Sequence, residues 1–254
     1  MMNTQRYVVG RRAVAEALES GLPLEKIFLS YGADDAPLNR IRAQADRGKV
    51  PCSTMDRRKF QQLERDLGVA RNDAQGVIAL RPVRDPITLD QLLTDARAAS
   101  DHPLLVVLDG ITDPHNLGAI ARSAEAAGAA GLIIPELYTA PVTPTAVKAS
   151  AGALEHLPLA KVQRVSTALA ACAEAGWTII GTAIPATTTY DAVDYWRPTI
   201  IVIGSEGEGL HQRVLDHCDH VVEIPMQGRI GSLNASVAAG IVLFEVVRQR
   251  RART

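Results

Sequence analysis

Apolar residues recur along this chain in two rhythms, short continuous runs and helical spacings, and the character of the runs changes near residue 100. The front begins with an extended run at Tyr7, turns at Gly10 and continues with helical spacing to Gly21. A strand over Lys26–Ser30, a helix from Leu38 to Asp46 stopped by Gly48, and a short strand from Val50 follow. A helix over 57–67 and a strand over 75–80 complete an α/β unit of roughly 80 residues, small but sufficient for a domain. Between Leu80 and Pro103, three prolines (Pro82, Pro86, Pro103) flank a single amphipathic stretch over 89–99. The pattern predicts a domain over 1–80 and a linker over 81–102.

From Leu104 the pattern becomes one of short apolar strands, at 104–108, 131–134, 178–183, 200–203 and 221–224, alternating with helices at 117–127, 145–151, 166–175, 211–217 and 234 to about 250. Strands that are apolar throughout suit a parallel sheet covered on both faces. The expected second domain, 103–254, is therefore a doubly wound α/β sheet with its ligand at the strand C-termini. In the last helix Val237, Ile241 and Phe244 have the spacing of a buried stripe.

The composition of the 254 residues, 47% hydrophobic and 22% charged, is that of an ordinary soluble globular protein. With no signal-like start and no apolar run long enough for a membrane span, a cytoplasmic, membrane-free protein is expected. Cys52, Cys172 and Cys218 are scattered, and the six histidines form no ligand-spaced set, so no disulfide framework and no metal are expected. Residues 1–85 hold 15 Lys or Arg against 11 Asp or Glu, a balance of +4; the rest of the chain holds 12 against 17, a balance of −5. A mildly basic front, with Arg11, Arg12, Arg57, Arg58 and Lys59, can track a nucleic-acid backbone, although solvated faces carry such charges routinely.

Three strand ends run into Gly- and polar-rich turns: 109–123, 201–209 and 224–240. A strand end, a glycine turn and a helix N-terminus together expose backbone N–H groups to a ligand. Ser232 and Asn234 in the last turn also read as helix caps. There is neither a P-loop nor a Gly-x-Gly-x-x-Gly between the first strand and helix, and Glu206 and Glu208 in the middle turn would repel a pyrophosphate. A positively charged cofactor with apolar and adenosine parts fits better.

Together, Asp113-Pro-His-Asn-Leu-Gly-Ala-Ile-Ala-Arg-Ser123, Val202-Ile-Gly-Ser-Glu-Gly-Glu-Gly209 and Ile224-Pro-Met through Ser232-Leu-Asn-Ala-Ser-Val-Ala-Ala239 resemble the three motifs of the TrmH-like RNA ribose 2′-O-methyltransferases of the SPOUT superfamily. Residues 1 to about 80, through Val9-Gly-Arg-Arg-Ala-Val14 and Gln75-Gly-Val77, are similar to the L30e-like RNA-binding domain of the branch that methylates guanosine in 23S rRNA. The resemblance implies a small L30e-like α/β domain, then a parallel-sheet SPOUT domain with a C-terminal trefoil knot, working as a homodimer on large-subunit ribosomal RNA. It implies S-adenosylmethionine as methyl donor, held by backbone around Thr182, Gly204, Ile224, Met226 and Leu233.

By the same resemblance Asn116, Arg122, Glu206, Ser232 and Asn234 form the catalytic set, with Arg11 and Arg12 on the RNA. Arg122 carries a guanidinium, a donor-only cation that suits gripping a phosphate and stabilising an alkoxide better than acting as a base. Asn116 orients Arg122 or the substrate, Glu206 holds the polar network, and Ser232 and Asn234 stand at the reacting end. Lys148 and Glu155 also match a family stretch, without an assigned role. Transfer RNA or another rRNA nucleotide is an alternative substrate, and a non-catalytic RNA-binding assembly factor an alternative class.

Overall fold

The computed structural model describes all residues except 1–5, 33–34, 71–72, 83–85, 206, 229–230 and 254. The chain divides into two compact units, at residues 1–85 and 86–254.

In the first unit β1 (Tyr7–Val9), α1 (Arg11–Glu19), β2 (Lys26–Ser30), α2 (Ala36–Arg47), β3 (Cys52–Met55), α3 (Arg57–Asp66) and β4 (Val77–Leu80) follow one another. The sheet order is β1-β4-β2-β3, antiparallel except for the parallel β2–β3 pair. Alternation along β2 and β4 places Ile27, Leu29, Val77 and Ala79 against α1 and α2, while Ile78 packs with Phe60 of α3 on the other face. Asp35 and Asp56 cap α2 and α3, accepting hydrogen bonds from Leu38 N and Arg58 N.

The second unit runs α4 (Leu89–Ala99), β5 (Leu104–Leu108), α5 (Pro114–Ala126), β6 (Gly131–Pro135), α6 (Pro144–Ala149), α7 (Ala153–His156), β7 (Leu159–Val162), α8 (Val165–Glu174), β8 (Thr178–Thr182), β9 (Thr188–Thr189), β10 (Thr199–Ile203), α9 (Gln212–Leu215), β11 (His220–Glu223) and α10 (Ala235–Arg251). Its strands form one sheet of order β7-β6-β5-β10-β8-β11-β9, with every pairing parallel. This is the covered parallel sheet that the apolar runs imply. All five residues of both β5 and β10 are buried. Leu105, Val107, Ile200 and Val202 face a core shared with Leu92, Leu169 and Trp177. The alternate residues face the other side, where α10 packs on β10 and α5. Asp113 and Thr143 cap α5 and α6, each followed by proline at the position where a missing N–H costs nothing.

The structure departs from the pattern-based reading in three places. The stretch 89–99, assigned to a linker, is α4, and it buries Leu92, Leu93 and Ala96 in the second unit's core. The edge strands β7 and β9 and the single turn α7 have too few residues to show a period. In α10 the buried apolar residues are Ala235, Ala239, Val242, Leu243 and Val246, with Glu245 buried beside them, whereas Val237 and Phe244 are half exposed (50% and 51%) and Ile241 is only partly buried. The large residues suggested the stripe, but the alanine side packs, because small side chains let α10 approach α5 closely.

Candidate active site

Because the sheet is parallel, β8, β10 and β11 deliver their C-terminal ends to one edge, where a doubly wound sheet carries its ligand. A cavity of about 440 Å³ opens there. Thr182 ends β8, Gly204 follows β10, Ile224 and Met226 follow β11, and Leu233 and Ser232 precede α10; all six line the cavity. Its remaining wall is mostly apolar, with Ile203, Leu210, Leu215, Val222 and Ala238. Among the described lining residues there is no Lys or Arg, and two are glutamates, Glu208 and Glu223. Glu223 is fixed by accepting a hydrogen bond from Ala186 N at 2.8 Å. Such a wall disfavours a phosphate and favours an apolar ligand carrying positive charge.

The loop after β10 is a tight hairpin. Ser205 and Gly209 exchange backbone hydrogen bonds of 3.0 and 3.1 Å, and a Cβ on Gly204 would collide with the carbonyl of Gly209, so no other residue fits there without moving the loop. The exit of this loop is clasped to the end of β5. The buried Asp109 carboxylate accepts from His211 N at 2.9 Å and lies 2.9 Å from His211 Nδ1, while Asp109 N donates to Ile203 O at 2.9 Å. Sequence reasoning passed over this pair; an acid placed directly after a wholly buried strand was the available signal.

Asn116 and Asn234, 118 positions apart, meet: Asn234 Nδ2 donates to Asn116 Oδ1 at 2.9 Å. The other end of Asn234 caps α10, its Oδ1 accepting from Ser236 N at 2.9 Å and Val237 N at 3.4 Å. Of the two residues that read as caps, Asn234 is the cap and Ser232 is not. Ser232 is exposed on the cavity wall, with no hydrogen bond to another described residue. Asn116 lies within α5, whose cap is Asp113. Arg122 is exposed a turn and a half further along α5; among the described residues no hydrogen bond or ion pair joins it to Asn116, Ser232 or Asn234. Glu206 lies outside the described residues. The arrangement thus sets an apolar, acidic-rimmed cavity, lined by the second and third motif segments, next to a polar bridge between the first and the third.

Residues 103–244 match the model of the SpoU rRNA methylase family, and residues 7–80 match that of the RNA 2′-O ribose methyltransferase substrate-binding domain. The chain belongs to the SpoU rRNA methylase family. The methyltransferase is 40% identical to an uncharacterized tRNA/rRNA methyltransferase of Mycolicibacterium gilvum, over 96% of its own length and 76% of that protein's. It is 35% identical, over 98% of both chains, to a Bacillus subtilis protein assigned by name to the TrmH family of tRNA/rRNA methyltransferases. Among solved structures it is similar to the SpoU methyltransferase AviRb from Streptomyces viridochromogenes in complex with the cofactor AdoMet. That similarity has a TM-score of 0.60 at 30% identity, covering 97% of this chain and 90% of the other.

In the methyltransferase's substrate-binding unit, Arg11 and Arg12 stand in different settings. Arg11 is held internally, its Nε donating to Gln75 O at 2.9 Å and its Nη2 lying 2.7 Å from Asp35 Oδ2. Arg12 is open to solvent, with a 2.9 Å pair to Glu16 one turn on. Tyr31, Arg57, Arg58 and Lys59 are exposed in the same unit. Burial pushes the Cys172 and Cys218 thiols up to about 12, which leaves both protonated and poor nucleophiles at neutral pH. Among the described residues no cluster of His, Cys, Asp and Glu could hold a metal ion, and no helix is long and apolar enough to cross a membrane.

Proposed function

We propose that this methyltransferase transfers the methyl group of S-adenosylmethionine to the ribose 2′-hydroxyl of a guanosine in 23S ribosomal RNA, acting as a cytoplasmic homodimer. The observation that carries the cofactor is the cavity at the ends of β8, β10 and β11: apolar, without Lys or Arg among its described residues, and edged by Glu208 and Glu223. Those properties suit a sulfonium and an adenosine. Thr182, Gly204, Ile224, Met226 and Leu233 would hold the cofactor, which supplies an electrophilic methyl. A deep trefoil knot in the C-terminal chain belongs to the same reading, and β10, late in the sequence but central in the sheet, is compatible with it.

The remaining chemistry falls to this chain's own side chains. Holding the ribose oxygen in line with the methyl can lower the barrier by about 7 to 11 kcal/mol in ideal cases. The Asn116–Asn234 bridge fixes the amide groups of two motifs relative to each other, and Ser232 adds a hydroxyl at the cavity wall. Arg122 grips a backbone phosphate and stabilises the developing alkoxide. Glu206 would order the polar network of the site. Arg12 reaches the RNA backbone from the substrate-binding unit; Arg11 shapes that surface through Asp35 and Gln75. The names of relatives span rRNA and tRNA, so tRNA is the second reading.

Nucleoside mass spectrometry after incubating purified protein and S-adenosylmethionine with unmodified 23S rRNA and tRNA tests both. The expected result is 2′-O-methylguanosine in 23S rRNA alone, lost by at least about 100-fold in Arg122→Ala, as for removal of one transition-state donor. Methylation of tRNA alone would replace the substrate. No methylation of either RNA, repeated on immature ribosomal particles, would leave the assembly-factor reading in place.

A further inference from the structure

We infer that Tyr138, on the loop after β6, is a stacking surface for an unpaired nucleobase of the substrate RNA beside the methylation site; this rests on the RNA methyltransferase reading above. Tyr138 is 86% exposed and its neighbour Leu137 50%, so two consecutive large apolar side chains stand in solvent. Burial cannot account for them. The backbone of Tyr138 is left-handed, at φ 58°, a conformation that bulky residues seldom adopt and that glycine would take freely. A strained backbone that presents a ring to solvent points to a function for the ring.

The loop is anchored where that function would lie. Ala140 N donates to Ile111 O at 2.7 Å and Thr139 Oγ1 to the same oxygen at 3.5 Å. Ile111 belongs to the segment that leads into α5, which carries Asn116 and Arg122. At the other end Glu136 N donates to Val162 O at 2.9 Å, and Thr143 caps α6. The ring is therefore displayed from a loop pinned on both sides, at the same edge of the sheet as the cavity. The chemistry of the loop selects the partner. From Glu136 to Val147 there is no Lys or Arg to hold a phosphate, so what it offers is an aromatic face with a phenolic edge. Aromatic faces stack on any base, and sequence-specific RNA recognition targets bases already splayed from a helix.

The test uses the full-length protein, with filter binding of a 23S rRNA transcript and methyl incorporation measured separately. Tyr138→Ala is expected to weaken RNA binding and raise KM for RNA by about 10-fold or more. KM for S-adenosylmethionine stays unchanged, and Tyr138→Phe and Tyr138→Trp keep near wild-type affinity. Tyr138→Gly is expected to bind RNA as poorly as the alanine variant while melting no lower than wild type, since glycine relieves the backbone. Unchanged RNA affinity in Tyr138→Ala, or loss in Tyr138→Phe, would overturn the stacking role, as would a change in oligomeric state in place of RNA affinity. Methylation with unaltered binding by Tyr138→Ala removes the stacking role alone. Tyr138-dependent binding without methylation removes the catalytic reading alone.

Discussion

The side chain of Asn234 commits its carbonyl oxygen to the first turn of α10 and its amide nitrogen to Asn116, and substitutions can separate the two contributions. Serine retains a cap acceptor but is too short to reach Asn116, whereas alanine loses both and costs about 1 kcal/mol from the cap alone. Asn234→Ser is therefore expected to melt within about 2 °C of wild type, yet to lose at least about tenfold in methyl transfer. Asn116→Ala, which leaves the cap intact, should lose a similar amount. If the bridge acts as a unit, the double variant is little worse than either single one. Additive losses in kcat/KM would show that the two amides act separately. In the sequence Asn116 is visible as a member of a motif, and Asn234 as a member of a motif and a helix cap; that they touch each other is a property of the fold, which no spacing along the chain encodes.

Helix α5 carries Asn116 and Arg122, and its position depends on a residue that propensity alone would call a defect. Gly118 inside a helix is worth about 1 kcal/mol less than alanine, so by propensity alone Gly118→Ala would stabilise. Packing opposes this: a Cβ there would collide with Ala146 O, lie 2.6 Å from Ala149 Cβ and 3.0 Å from Ser150 N. Those atoms belong to α6 and its cap, and two of them are backbone that cannot rotate away. Overpacking of this kind costs about 1 to 3 kcal/mol, and a collision with backbone that cannot move lies at the upper end, above the propensity gain of about 1 kcal/mol. Gly118→Ala is thus expected to lower the melting temperature of the second unit by about 2 to 6 °C by calorimetry; a rise would mean that α5 and α6 separate easily. Elements with many apolar residues, such as β5, β10 and α5, are legible because their pattern repeats. The four-residue β7 and two-residue β9 are not, because edge strands owe their existence to the neighbour they pair with.

Seen over the whole chain, α10 is apolar on two sides, and the sequence pattern admits either as the buried one. Packing against α5 and β10 uses Ala235, Ala239, Val242, Leu243 and Val246, leaving Val237, Ile241 and Phe244 at i, i+4 and i+7 on another face. A second apolar face on a helix calls for cover of its own. One copy of the chain covers one side, and the proposed homodimer supplies the other. Burying the exposed half of Phe244 would contribute on the order of 2 kcal/mol per copy, enough for one residue to decide the equilibrium of a modest interface. The N-terminal cap of the same helix is Asn234, so loss of the second copy should reach the active site. Phe244→Glu places a charge in that apolar face without touching the core of either unit. By sedimentation equilibrium it is expected to convert a dimer to a monomer, with unchanged secondary structure and a melting temperature that no longer depends on protein concentration. Methyl transfer falls with it and recovers at high protein concentration if assembly is the only defect. A wild-type chain that sediments as a monomer, or a Phe244→Glu variant that remains dimeric, would put the dimer elsewhere and leave this face to another partner.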